Sequence, residues 1–314
     1  MSLDTIITAI TEILNSSPHS VEILPGSVEQ WQTGSTPFLF VDSNLGIPQK
    51  LLYQLYPHAL KLFKNLRLSA SPSSYTSLLE ASSIILLTNP AHQTALHERK
   101  RLALSGHWSV EQELDFTALL LASGRDASKQ SIVWDHRRYL LQTGFSTLPG
   151  SDLKPIPPEI LRKELDLILR SCESYPRNYY GWSHWDLCME ILHTYSMAKD
   201  EYYPVIIEAF TWLLQWIEQH LSDYSAVHHI CRLVHRFHGM DRLRDVRNLS
   251  FTGISEQAVS LVSKYPDHEA LWMYLRIVWT IGDDRLRDSL EASITHLPDC
   301  KYRERCVSWC KQSG

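Results

Sequence analysis

Cysteine is missing from the first 171 residues, and the 314-residue chain holds only six, at 172, 188, 231, 300, 306 and 310. No pair of them has the two-residue spacing of a zinc knuckle, so neither a zinc site nor a disulfide framework is expected. A reduced, cytoplasmic protein with free thiols fits that usage. Glycine is scarce, at 12 residues, and no glycine-rich phosphate loop or Gly-x-Ser-x-Gly elbow occurs. No run of 18 apolar residues exists, which predicts no membrane span. Residues 1–10 lack the basic lead of a signal peptide, and Cys310 stands fifth from the end, outside a prenylation box. A basic surplus is also lacking. The formal net charge of −5 argues against nucleic acid, because phosphate contacts require cations.

What is present is an ordinary globular balance, 44% apolar and 21% charged. That excludes a disordered, collagen-like or coiled-coil chain. A core of this size needs no disulfide or metal to hold it. The dominant pattern is internal repetition. A short polar stretch precedes an apolar anchor, a His or basic residue, and a helical apolar run. The anchors are Leu96, Trp134, Trp182, Val227 and Trp272, separated by 38, 48, 45 and 45 residues. Each period has room for two helices of about 12 to 15 residues with their turns.

Second helices read from Val110 to Ser123, Pro158 to Ser171, Tyr203 to Leu221 and Ser255 to Lys264. Strict apolar alternation is rare. The pattern predicts an all-α fold, an α-solenoid of stacked antiparallel helix pairs. The large rigid Trp side chains set the stacking distance. The His and Arg that follow Trp134, His136 and Arg137, are placed to reach turns or carboxylates of a neighbouring repeat.

Residues 1–75 read differently, as a lead packed on the first repeat, with residues 76–314 forming about five helix pairs. Leu3 to Leu14 and Gln49 to Leu66 are helical. Pro37 to Val41 is a short apolar run before a turn-rich stretch from Asp42 to Pro48. Phe145 to Pro157 is a loop insertion. Asp241 to Arg247 alternates in charge and reads as a solvated face or loop.

The segments Pro176-Arg177-Asn178-Tyr179-Tyr180-Gly181-Trp182-Ser183-His184 and Trp134-Asp135-His136-Arg137-Arg138 resemble the repeats of protein prenyltransferase α subunits. Phe38 to Ile47, Leu78-Leu79 with Leu87-Thr88-Asn89-Pro90, and Tyr265 to Trp272 resemble one branch. That branch is the protein prenyltransferase α subunit repeat-containing protein 1 family, and the likeness spans roughly residues 36 to 280. It implies the α subunit of a heterodimeric, type III protein geranylgeranyltransferase, with no activity alone. The implied partner is the β subunit of the Rab geranylgeranyltransferase. Zinc and geranylgeranyl diphosphate belong to that subunit, with no cofactor in this chain. The implied substrate is an already prenylated, SNARE-like protein.

The resemblance also implies site residues. Lys129 takes the place of a lysine that approaches the diphosphate, where an ammonium suits developing phosphate charge. Arg177, Asn178, Tyr179 and His184 take the place of residues facing the partner. Trp134, His136, Arg137, Trp182 and Trp272 are packing anchors. Three positions depart from the family: Gln93 and Ser131 stand where tyrosines are expected, and Ile132 stands where a glutamine reads a substrate carboxylate. These departures count against direct reading of a free terminal tetrapeptide, and Ile132 with the N-terminal lead argues against the α subunit of a farnesyl or type I geranylgeranyl enzyme. They suit an enzyme that recognises a folded or already lipidated substrate, and also an α subunit whose chemical role has decayed. A peptide-binding helical scaffold without enzymatic role is the other reading. His228, His229, His235 and His238 include spacings of three and seven, which share a helix face, but they lack a closed ligand shell, so no metal site is assigned.

Overall fold

A computed structural model describes residues 1–31, 36–69, 71–146, 153–240 and 250–313. The charge run at 241–247 and the middle of the expected insertion, 147–152, lie outside the described residues. The chain divides into two compact units, Met1–His184 and Trp185–Gly314.

The first unit begins with α1 (Leu3–Asn15), capped by Ser2, whose hydroxyl accepts from the Thr5 amide. Ile6, Ile7, Ile10 and Leu14 form its buried stripe. A small sheet follows, with β1 (Ser20–Leu24), the short helix α2 (Val28–Trp31), β2 (Leu39–Val41) and β3 (Asn44–Pro48). Strand β3 lies in the centre, parallel to β1 and antiparallel to β2. Local pattern missed this sheet. The turn expected across residues 42–48 shrinks to Asp42 and Ser43, both with positive φ (48° and 62°), and the rest is strand. Helix α3 (Gln49–Ser69) then packs on α4 (Tyr75–Thr88).

The repeats follow as α5 (Gln93–Leu104), α6 (Val110–Ala122), α7 (Arg125–Ser128), α8 (Ser131–Gly144), α9 (Pro158–Ser174) and α10 (Tyr179–Ser196). Anchors Leu96, Trp134 and Trp182 sit on α5, α8 and α10. Helix α9 starts on Pro158, where a missing N–H costs nothing, and buries Leu161, Leu165, Leu167, Ile168 and Cys172. The unit boundary falls within α10.

The second unit continues with α11 (Tyr203–Gln219), α12 (Tyr224–Phe237), α13 (Phe251–Lys264), α14 (Glu269–Ile281), α15 (Asp284–Thr295) and α16 (Lys301–Ser313). Asp223 caps α12 by accepting from the amides of Ser225 and Ala226, and Asp283 caps α15 through Leu286. Val227, Ile230, Leu233, Val234 and Phe237 bury one face of α12, and Trp272, Leu275 and Val278 bury one face of α14. Helix α14 packs on α12, α13 and α16. The expected all-α helical-repeat fold is what forms. Among the described residues, no helix is long and apolar enough to cross a membrane.

Candidate functional site

Consecutive repeats of the first unit are joined by buried charge. Arg99 of α5 donates from Nε to both Glu113 oxygens of α6, at 3.1 and 2.9 Å. Its Nη1 donates to the Leu79 carbonyl and to the hydroxyls of Ser82 and Ser83. Glu113 also meets His136 Nε2 of α8 at 2.9 Å. The pattern then repeats. Arg137 of α8 donates from Nε to Glu164 Oε2 of α9 at 3.1 Å and from Nη2 to Oε1. Its Nη1 bonds Thr117 Oγ1 at 2.6 Å and the Leu114 carbonyl. His184 Nε2 of α10 meets Glu164 Oε2 at 2.8 Å.

Each carboxylate therefore links the arginine of one repeat to the histidine of the next. Burial by itself raises the Glu164 carboxyl, but Arg137 and His184 outweigh it and hold it down at about 2. Glu113 is lowered by the same balance, with Arg99 and His136 opposing burial. Burial holds His136 below its usual value against the pull of Glu113. The sequence foresaw carboxylate partners for His136 and Arg137 but not which ones. The available signal was a glutamate on an apolar stripe, as Glu164 lies among Leu161, Leu165 and Ile168.

In the second unit the positions matching His136 and Arg137 read His229 and Ile230 after Val227, and Tyr274 and Leu275 after Trp272. His229 Nδ1 lies 3.4 Å from Asp186 Oδ1, whereas the link at Tyr274 is neutral, its hydroxyl donating to Gln257 Oε1 at 3.2 Å. The indoles behave alike in both units. Trp134 Nε1 donates to the Ser128 carbonyl at 2.9 Å, and Trp272 Nε1 to the Pro266 carbonyl at 2.7 Å. Trp182 is buried as well.

Lys129 sits between α7 and α8. Its side chain is 45% exposed and pairs with Asp126 at 2.6 Å. Asn178 precedes α10 and is fully buried. Its Nδ2 donates to the same Ser128 carbonyl at 2.9 Å, and its Oδ1 accepts from the Gly181 amide at 3.2 Å. The Asn178 and His184 side chains, expected at the partner face, are both enclosed at 0% exposure within this chain. Asn178 uses its amide on Ser128 and Gly181, and His184 uses Nε2 on Glu164 while its Nδ1 is buried without a hydrogen-bond partner.

Arg177 and Tyr179, by contrast, stand on the surface. Arg177 holds a left-handed backbone (φ 59°), uncommon for a residue with a side chain. Tyr179 is 74% exposed, with its ring 5.5 Å from that of Tyr180. The Arg125 guanidinium lies 5.6 Å from the Tyr175 ring. Helix α7 with the α7–α8 connection carries Arg125 and Lys129, and the α9–α10 connection with the start of α10 carries Tyr175, Arg177, Tyr179 and Tyr180. Arg and Tyr are enriched in protein interfaces, and the amide ends of helices favour anions.

A cavity of about 420 Å³ lies beside this edge, between α5 and α8. Its lining includes Gln93 and Ile132, two of the three departures from the family pattern, together with His97, Lys100 and Asp135. Burial lowers the Lys100 ammonium, opposed by Asp135, and its Nζ rests 4.2 Å from the Tyr139 ring. Among the described residues, no three His, Cys, Asp or Glu side chains gather as a metal set. Burial raises the thiols of Cys231, Cys306 and Cys310.

Residues 161–192 match the model of the protein prenyltransferase alpha subunit repeat, a window that holds Glu164, Asn178, Trp182 and His184. The chain is similar to Protein prenyltransferase alpha subunit repeat-containing protein 1 of Homo sapiens, at 24% identity over 87% of this chain and 76% of that protein. The protein of the same name in Danio rerio is 23% identical over 96% of this chain and 78% of its own length. Geranylgeranyl transferase type-2 subunit alpha of Saccharomyces cerevisiae is 24% identical over 68% of this chain and 61% of its own. The resemblance read from the repeats is borne out.

Proposed function

We propose that this chain is the α-type subunit of a heterodimeric protein geranylgeranyltransferase of the type III kind, acting in the cytoplasm with a β-type partner. The observation that carries the reading is the basic and aromatic edge formed by Lys129, Arg177 and Tyr179, set on a prenyltransferase-type repeat. The yeast relative named for geranylgeranyl transfer supports the isoprenoid class. The partner is of the Rab geranylgeranyltransferase β type, and the acceptor is an already prenylated, SNARE-like protein.

In the reaction, the acceptor cysteine Sγ forms a bond to the allylic carbon, and the carbon–oxygen bond to diphosphate breaks. The thiol proton goes to solvent, and diphosphate leaves as an anion. This chain supplies cation and orientation. The Lys129 ammonium leaves Asp126 to face the charge growing on the departing phosphates, and the ends of α8 and α10 add partial positive charge. The described residues of this chain hold no group of His, Cys, Asp and Glu side chains that fits a zinc ion. Zinc and the isoprenoid tunnel are assigned to the partner. Ile132 at the 420 Å³ cavity has no group to bond a substrate carboxylate, which favours recognition of a folded or lipidated acceptor over a free terminal tetrapeptide.

The test is co-expression with the Rab geranylgeranyltransferase β subunit, followed by size exclusion and transfer of labelled isoprenoid to a farnesylated acceptor. A 1:1 complex with transfer is expected. A folded, helical chain that forms no complex refutes the enzyme-subunit reading and leaves the peptide-binding scaffold.

A further inference from the structure

Two buried donors from different repeats converge on one carbonyl, that of Ser128, the residue immediately before Lys129. One is Trp134 Nε1 and the other is Asn178 Nδ2, each at 2.9 Å. Ser128 is itself fully buried, and its hydroxyl bonds the carbonyls of Leu121 and Gly124 at 2.7 and 3.0 Å. The peptide leading into Lys129 is therefore fixed on both sides, and the half-exposed lysine side chain extends from it to Asp126. The same Asn178 caps α10 through the Gly181 amide, one residue before the exposed Tyr179. One side chain thus ties the start of α10 to the backbone that carries the candidate cation. The left-handed Arg177 completes the turn that brings Asn178 inward.

We infer that Asn178 is a positioning residue: through the Ser128 carbonyl it holds Lys129 in register with Tyr179, rather than touching partner or substrate itself. The inference rests on the role proposed for Lys129. Its physical basis is preorganisation, because a cation on a wandering loop spends part of its time away from the charge it must meet.

Asn178→Ser separates the two functions of the side chain. A serine hydroxyl still caps the Gly181 amide but is too short to reach Ser128. Asn178→Asp is the second variant, since it keeps the shape and the cap and removes the donor. Two readouts are needed. Hydrogen exchange of the free chain should rise at residues 129–131 in both variants, with 161–172 of α9 unchanged. In the heterodimer, Asn178→Ser should lower kcat about tenfold at unchanged KM for a farnesylated acceptor, and should have no further effect when combined with Lys129→Ala.

Unchanged exchange at 129–131 overturns the positioning role whatever the chain's function. So does a kcat loss that persists in the Lys129→Ala background, which would mark Asn178 as structural only. If exchange rises while Lys129→Ala leaves kcat untouched, the role of Lys129 in the proposed function fails, and with it the functional part of this inference.

Discussion

Glu164→Ala is the sharpest test of how the repeats are joined. The carboxylate and Arg137 are each about 1% exposed, so removing the acid leaves a buried positive charge uncompensated. Arg137 keeps Thr117 and the Leu114 carbonyl but loses its counter-charge, and His184 loses the acceptor of its Nε2–H. The fall of the Glu164 carboxyl from 4.5 to about 2 corresponds to about 3 kcal/mol of stabilisation at neutral pH. Breaking a buried pair from one side costs about 3 to 5 kcal/mol, which agrees. Asp166→Ala on the same helix is the control. It removes an exposed pair with Arg170 and should cost less than about 0.5 kcal/mol. The assay is hydrogen exchange across α8 and α9, read as opening free energy. A loss below about 1 kcal/mol for Glu164→Ala, or losses equal to those of Asp166→Ala, would refute the reasoning.

Three further outcomes are expected. The folded-state carboxyl of Glu164 is depressed, so its stabilisation is complete above about pH 4.5 and is lost as pH falls toward about 2; the exchange difference between wild type and Glu164→Ala should close over that window, and a constant gap would contradict it. Trp272→Phe should destabilise by about 1 to 2 kcal/mol in thermal melts, and Trp134→Phe by less, because the Ser128 carbonyl retains Asn178 while Pro266 keeps only the weak Cys300 thiol at 3.7 Å. Tyr179→Ala should leave the melting temperature within error, as its side chain is mostly exposed, yet weaken β-subunit binding at least about tenfold by calorimetry.

The helices were legible because their signals are local. The expected starts at Val110, Pro158 and Tyr203 coincide with those of α6, α9 and α11, and Ser255 falls inside α13. Capping groups and 3.6-residue periodicity act within one turn, so the chain's own sequence determines them. The repeat spacing and the placing of Trp134, Trp182 and Trp272 belong to the same class. Tertiary structure decided the rest. Strand β1 pairs with β3 across more than twenty residues, a non-local ladder that no local pattern announces. Asn178 sits in a motif whose surface and buried readings share one sequence; only the arrival of the Ser128 carbonyl, 50 positions earlier, turns it inward. Glu164 looks like a flaw in an apolar stripe until Arg137 and His184 come from helices on either side to neutralise it. Local chemistry chose the helices, and the pairing of buried charge and hydrogen bonds between them, whose desolvation must be repaid by partners distant in sequence, fixed how they join.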